Sequence, residues 1–325
     1  MTATHGAASR HLGLDLGATN LKWAMLEHAA GRWTTVAREQ VRTRVATDPA
    51  LAPAAVVAQL AEVAAAAIAA AGPATSVGIG VPGLYDPATG RTRFLVNLPG
   101  TWAGQPVAGP VGEAVGLPAF LINDARAFGL AELRLGAGRG ASSMIGLTLG
   151  TGIGGVVAVD GHVLQGHDGT AGEIGHQTID PDGPWCGCGN RGCLEAFARA
   201  DQIAIAAGSA TAEEAFARAR AGDAAALEAL ARIGRYLGIG IANMIAVLSP
   251  DRVVIGGGIA AAADLLFEPI LAELRQRVRT TSLDQVELVT AELGTWAGAI
   301  GAAVHGAERA RAGTSRRPSA VAVAR

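Results

Sequence analysis

Three glycine-rich turns, each directly after an apolar run of strand character, restrict this chain more than any other feature. They are Asp15-Leu-Gly-Ala-Thr-Asn-Leu-Lys22, Leu149-Gly-Thr-Gly-Ile-Gly-Gly155 and Ile255-Gly-Gly-Gly258. Glycine lets successive backbone N–H groups converge on an anion, and threonine adds a hydroxyl donor. One such turn alone reads first as an ordinary tight turn. Three of them, all after strands, favour an α/β chain that holds a nucleotide. Two common phosphate sites fit poorly: there is no GxxxxGK[ST], and Leu149 to Gly155 runs into another strand, where a dinucleotide fingerprint would open a helix. Asp15 is either a turn-capping residue or a carboxylate able to hold Mg²⁺ through water.

The elements between the turns alternate. A strand from His11 to Leu16 is followed by apolar alternation through Trp23 and Met25, then by two short strands and a turn. Pro53 to Ala71 predicts an amphipathic helix, with Val56, Leu60, Val63 and Ala67 at helical spacing. Strands at Val77 to Val81 and Ala119 to Ile122 bracket a Pro/Gly-rich stretch, Asp86 to Pro110, that reads as a long loop before a helix near Val111 to Val115. A helix from Ala125 to Leu135 and strands at Met144 to Leu149, Gly155 to Val159 and His162 to Leu164 follow. Helices then dominate to Val247, where Leu227, Leu230, Ile233, Leu237, Ile241 and Ile245 form one stripe. A buried strand, Arg252 to Ile255, and a last helix, Trp296 to Arg309, close the chain. Two blocks that each open with a strand and a Gly/Thr-rich turn point to an internal duplication.

At 325 residues the chain predicts two domains: a small one over 10–123 with the helix at 296–310, and a large one over 124–295, leaving 1–9 and 311–325 as flexible tails. A net charge of −2 gives no basic field for nucleic acid. No run reaches the roughly 18 uninterrupted apolar residues of a membrane span, and MTATHGAASR lacks a signal's apolar core, so the expectation is a cytoplasmic protein.

The most specific local pattern is His176, nine residues, Cys186-Gly-Cys188, four residues, Cys193. One imidazole and three thiolates complete the tetrahedral shell of a structural Zn²⁺. With all four positions taken by protein, the ion would organise a loop and leave no place for an activated water. Asn123 and Asp124 stand between a predicted strand and a helix. They read as a helix cap, or as a carboxylate kept ionised by the helix N-terminus and able to accept a proton.

The first turn, DxGxTxxK, together with the other two, resembles the phosphate-1, phosphate-2 and adenosine motifs of the actin, hexokinase and Hsp70 superfamily. The resemblance implies two ribonuclease-H-like domains with an ATP and sugar cleft between them. Asp15, Gly17, Thr19, Asn20 and Lys22 would then face the phosphates and Mg²⁺, with Gly150, Thr151, Gly152 and Gly154 on the other side and Gly256, Gly257 and Gly258 under the adenosine. Ala18 stands where many members have glycine. Lys22, the one lysine of the chain, reads as a charge-neutralising residue or as a solvent-facing strand position.

GEIGHQTIDPDGPWCGCGNRGCLE, Gly172 to Glu195, resembles the signature of the ROK family of bacterial sugar kinases and sugar-responsive repressors, with the other motifs in the expected order from about Leu12 to Glu308. The resemblance implies that Gly83, Asn97, Asn123, Asp124, Glu173, His176 and Glu195 contact a sugar, with Asp124 as general base. Taken singly, Glu173 or Glu195 would read as a solvated surface charge. It further implies a glucokinase-like transferase of glycolysis and carbohydrate metabolism, and a homodimer or dimer of dimers. N-acetylmannosamine, N-acetylglucosamine, fructose or allose would suit the same polar frame, and polyphosphate is an alternative donor. A repressor would carry a winged helix-turn-helix ahead of the first turn, which begins here at Asp15. A non-catalytic sugar-binding protein is the remaining alternative.

Overall fold

The computed structural model describes residues 8–44 and 46–315. The chain divides into two compact units, residues 1–127 with 298–325 and residues 128–297. The divisions fall inside one helix and at the start of another, a few residues beyond the expected boundary at 123/124.

In the first unit, β1 (Ser9–Leu16), β2 (Asn20–Ala29) and β3 (Arg32–Arg42) form an antiparallel meander. The two short strands expected after β2 are one strand of 11 residues. Helix α1 (Ala52–Ala71) precedes β4 (Val77–Val81) and the hairpin β5 (Gly83–Asp86) and β6 (Arg91–Leu95). The loop expected over Asp86 to Pro110 is therefore partly ordered. Thr92, buried in β6, holds the following segment through its hydroxyl to the Trp102 carbonyl and its N–H to the Gln105 carbonyl. Helix α2 (Ala108–Val115) then leads into β7 (Ala119–Asn123), giving the sheet order β3-β2-β1-β4-β7.

Helix α3 (Asp124–Leu135) leads to the second sheet, β8 (Ser143–Leu149), β9 (Ile153–Val159) and the short β10 (His162–Val163). Helices α4 (Leu194–Ala198), α5 (Ala200–Ala207), α6 (Ala212–Arg220) and α7 (Ala224–Leu248) come next. In α7, Leu230, Ile233, Leu237, Ile241 and Ile245 are buried as expected, but Leu227 on the first turn is exposed. After β11 (Arg252–Gly256) come two elements the sequence reading lacked, α8 (Ala263–Arg277) and β12 (Glu287–Thr290). Pro269 lies inside α8, and β12 has only four residues of mixed exposure, so neither carries a clean periodic signal. The sheet order is β10-β9-β8-β11-β12.

The two sheets repeat one plan. In each, a strand and its antiparallel partner are joined by a glycine turn, and two further strands lie parallel to the first on its other side. That repetition accords with the internal duplication read from the sequence. Helix α9 (Ala297–Ser315) runs beyond the Arg309 end expected, since Ala310, Arg311 and Ala312 are good helix formers. Of the expected flexible tails, Ser9 already belongs to β1 and 311–315 continue α9, while residues 1–7 and 316–325 lie outside the described residues.

Helices α1 and α7 are long and apolar enough to cross a membrane by length and composition. Each instead buries a stripe in its own unit: Val56, Leu60, Ala64 and Ala67 of α1, and the five residues of α7 named above.

One buried carboxylate braces the second unit. Glu132 of α3, fully buried, accepts from the Ala137 N–H at 2.8 Å and the Glu292 N–H at 3.1 Å through Oε2, and from the Leu293 N–H at 2.9 Å through Oε1. Glu132→Ala would leave three backbone donors without a partner, each costing about 1–3 kcal/mol. The expected loss is about 3 kcal/mol or more in urea unfolding, with Glu132→Gln intermediate. Equal midpoints for all three proteins would show that the bracing is idle.

Candidate active site

The parallel strands of each sheet bring several of the expected site residues to their C-terminal ends, where open α/β sheets place ligands. In the first unit, Asp15 is the last residue but one of β1, β4 runs into Gly83 and β7 ends on Asn123. Asn123 caps α3: its Oδ1 accepts from the Arg126 N–H at 3.1 Å. Its Nδ2 donates to the Gly83 carbonyl at 3.2 Å and to Asp124 Oδ1 at 3.0 Å, while the Ala125 N–H donates to the same Oδ1 at 2.8 Å. Two donors on one oxygen hold the Asp124 side chain in a single orientation at the helix N-terminus. Asn97, exposed two residues after β6, has φ 61°, a left-handed conformation that asparagine tolerates better than most residues.

The first glycine turn closes with the Gly17 N–H to the Asn20 carbonyl at 3.0 Å. Thr43, which sequence reasoning missed, ties it from outside through its hydroxyl to the Gly17 carbonyl at 2.7 Å and its N–H to the Thr19 carbonyl at 3.0 Å. Asp15 and Lys22 are direct partners across β1 and β2, so both side chains leave the same face. Burial pushes the Asp15 carboxyl up to about 6, with the Lys22 ammonium opposing the shift. Gly298 was also missed. A Cβ there would lie 2.5 Å from Asp15 Oδ2, so only glycine lets the first turn of α9 approach this carboxylate.

In the second unit, the Gly150 to Gly154 turn lies beside Gly257, whose backbone packs on Leu149. The predicted second and third glycine motifs are thus neighbours. Glu173 is exposed before a short 3₁₀ turn, Ile174–His176, that presents His176. His176 Nδ1 lies 3.7 Å from Cys186 Sγ, and the sulfurs of Cys188 and Cys193 are 3.7 Å apart.

All four ligand atoms of His176, Cys186, Cys188 and Cys193 lie within 4.8 Å of one another, and the cysteines are free. Thiolates about 2.3 Å from a tetrahedral Zn²⁺ would sit roughly 3.8 Å apart, so the spacing is compatible with zinc. Burial, then the thiols of Cys188 and Cys186, pushes the Cys193 thiol up to about 12. A thiolate there needs a cation beside it. The Glu195 carboxylate does not stand alone either: Oε2 accepts from the Ile153 N–H at 2.8 Å, and Oε1 lies 3.7 Å from Cys186 Sγ. None of the predicted site residues lines the cavity of about 820 Å³ in the first unit, which lies near the start of β1 around Ser9, His11, Phe120 and Arg309.

Two duplicated sheets, each ending in glycine turns, define the class: the actin, hexokinase and Hsp70 fold. The sequence model of the ROK family matches residues 11–307, and the chain belongs to that family. It is 39% identical to the glucokinase of Thermotoga maritima over 246 residues, 70% of this chain and 77% of the relative. A ROK hexokinase from Thermus thermophilus superposes with a TM-score of 0.82 at 35% identity, over 93% of this chain and 99% of that one. A ROK glucokinase from Streptomyces griseus, in complex with glucose and AMPPNP, gives a TM-score of 0.75 at 27% identity, over 92% of this chain and 100% of that one.

Proposed function

We propose that this chain is an ATP-dependent hexose kinase that phosphorylates glucose at the 6-position, with Asp124 as general base. The observation that carries the reading is the Asp124 carboxylate, held at the N-terminus of α3 by Asn123 and the Ala125 N–H, in a chain whose relatives include named glucokinases. Asp124 accepts the proton of the sugar hydroxyl as that oxygen attacks the γ-phosphorus in line and ADP leaves. The transition state of such a transfer is loose, so positioning and charge neutralisation matter more than base strength.

Asn97, Asn123, Glu173, His176 and Glu195 bind hydroxyl groups, and Gly83 brings backbone close to the sugar. A carboxylate can accept from two neighbouring hydroxyls, and an imidazole bound through one nitrogen can offer the other to a hydroxyl. Asp15, Gly17, Thr19, Asn20 and Lys22, with Gly150, Thr151, Gly152 and Gly154, cradle the phosphates, and Gly256, Gly257 and Gly258 lie along the adenosine. Mg²⁺ near Asp15 would supply charge neutralisation on the phosphates. Zn²⁺ on His176, Cys186, Cys188 and Cys193 would hold the sugar loop in shape. The protein acts in the cytoplasm as a homodimer or dimer of dimers.

An ADP-release assay across glucose, fructose, allose, N-acetylglucosamine and N-acetylmannosamine tests the reading. Glucose should give the highest kcat/KM, by about tenfold or more, because a site built on hydroxyl hydrogen bonds leaves polar groups unpaired with the wrong sugar. ADP release with none of them would remove the kinase reading, and a higher value for another sugar would reassign the acceptor.

A further inference from the structure

The cysteine loop and the second glycine turn are joined through one short helix. Cys193 is the residue before α4, Glu195 lies in its first turn, and α5 starts two residues after its end. From this segment two hydrogen bonds reach the turn on opposite sides. The Glu195 carboxylate takes the Ile153 N–H at 2.8 Å, and the Ala200 N–H donates to the Gly150 carbonyl at 2.9 Å. Gly152 lies between them, and a Cβ there would come within 2.6 Å of Glu195 Oε2, so a larger residue would have to push that carboxylate aside.

The other end of the segment is tied to the metal loop. The Leu194 N–H donates to the Gln177 carbonyl at 3.0 Å, Thr178 pairs with Cys193, and Glu195 Oε1 lies against Cys186 Sγ. Backbone at the turn therefore takes its position from residues that also shape the cysteine cluster.

We propose that Glu195, besides any contact with sugar, is a positioning residue for the nucleotide: it clamps the Gly150 to Gly154 turn and thereby couples the metal loop to ATP affinity. The inference rests on the reading of this turn as a phosphate cradle. A glycine turn owes its anion affinity to N–H groups already aimed at the ligand, and it loses affinity when they must be ordered on binding. Glu195 holds the Ile153 end of the turn before any ligand arrives, and α4 carries that constraint back to Cys193.

The test separates this role from a sugar contact by titrating AMPPNP without sugar, by calorimetry, into the native chain, Glu195→Ala and Glu195→Gln. Glutamine keeps one side-chain oxygen to accept from the Ile153 N–H but loses the carboxylate's charge and second acceptor. The expected result is AMPPNP binding about tenfold weaker in Glu195→Ala, the scale of one lost hydrogen bond to a charged group. Glu195→Gln should stay within about threefold of native, while both variants lose glucose affinity. Amide hydrogen exchange over residues 149–155 should quicken in Glu195→Ala alone.

Unchanged AMPPNP affinity and exchange in Glu195→Ala would overturn the clamp, leaving the residue a sugar contact only. Equal weakening in Ala and Gln would overturn it as well, because the shared loss would then be charge. If Glu195→Ala does not fold, Gly152→Ala decides: its added methyl crowds the same carboxylate, and native exchange in that variant would overturn the proposal. If the native chain binds glucose but no AMPPNP, the nucleotide reading of the turn fails and the clamp with it.

Discussion

Asp124→Asn is expected to lower kcat for sugar phosphorylation by about 10²–10⁴-fold, the range for losing a general base, while glucose and AMPPNP affinities stay within a few-fold. The substitution is nearly isosteric. An amide oxygen still accepts the Ala125 N–H that now reaches Asp124 Oδ1 at 2.8 Å, and Asn123 still caps α3 through its own Oδ1. What disappears is a group able to take the proton of the attacking hydroxyl. Steady-state ADP release with direct sugar titration distinguishes the outcomes. Activity above about one-tenth of native would show that Asp124 only caps the helix. Lost affinity with an unchanged kcat would make it a binding residue.

The second large effect is expected at the cysteine loop. Purified protein should carry one zinc per chain, and Cys193→Ser should retain almost none. Cys193 is fully buried, with Sγ 3.7 Å from Cys188 Sγ and 3.4 Å from the His176 carbonyl, so its loss removes both a ligand and an anchor of the loop. Metal binding to such a site is folding free energy. The thermal midpoint should therefore fall in Cys193→Ser and in chelator-treated native protein alike, and glucose affinity should drop by about 10–100-fold, as when groups supporting a bound ligand are removed. Less than about half a zinc per chain in native protein would sink the four-ligand assignment. Full glucose affinity after metal loss would detach the loop from the sugar.

Much of the site was legible because its chemistry is local. The spacing of His176, Cys186, Cys188 and Cys193 needs only short turns to bring four ligand atoms within 4.8 Å. Asn123 and Asp124 sit at a strand–helix junction, where a cap is expected from the residue types alone. The glycine turns were legible because glycines directly after an apolar run are themselves a turn signal.

The residues that were not legible owe their roles to partners far along the chain. Glu132 finds Leu293 at a separation of 161 residues, and nothing near Glu132 distinguishes it from a surface helix charge. Gly298 matters only because Asp15 lies opposite, and Thr43 only because the first turn folds back beside it. Glu195 carried a sugar-binding expectation through its motif, yet its hydrogen bond to Ile153 spans 42 residues and has no local signature. The helix α8 escaped for a different reason, since an internal proline weakens the helical reading that packing against α7 overrides.

The sequence by itself determined the glycine turns, the cluster of one imidazole and three thiols and the strand-end carboxylate, because each depends on backbone freedom or side-chain spacing within a few residues. Tertiary structure alone decided which groups orient them. Hydrogen bonds and close approaches form wherever packing brings two surfaces together, and a linear pattern carries no record of what lies opposite.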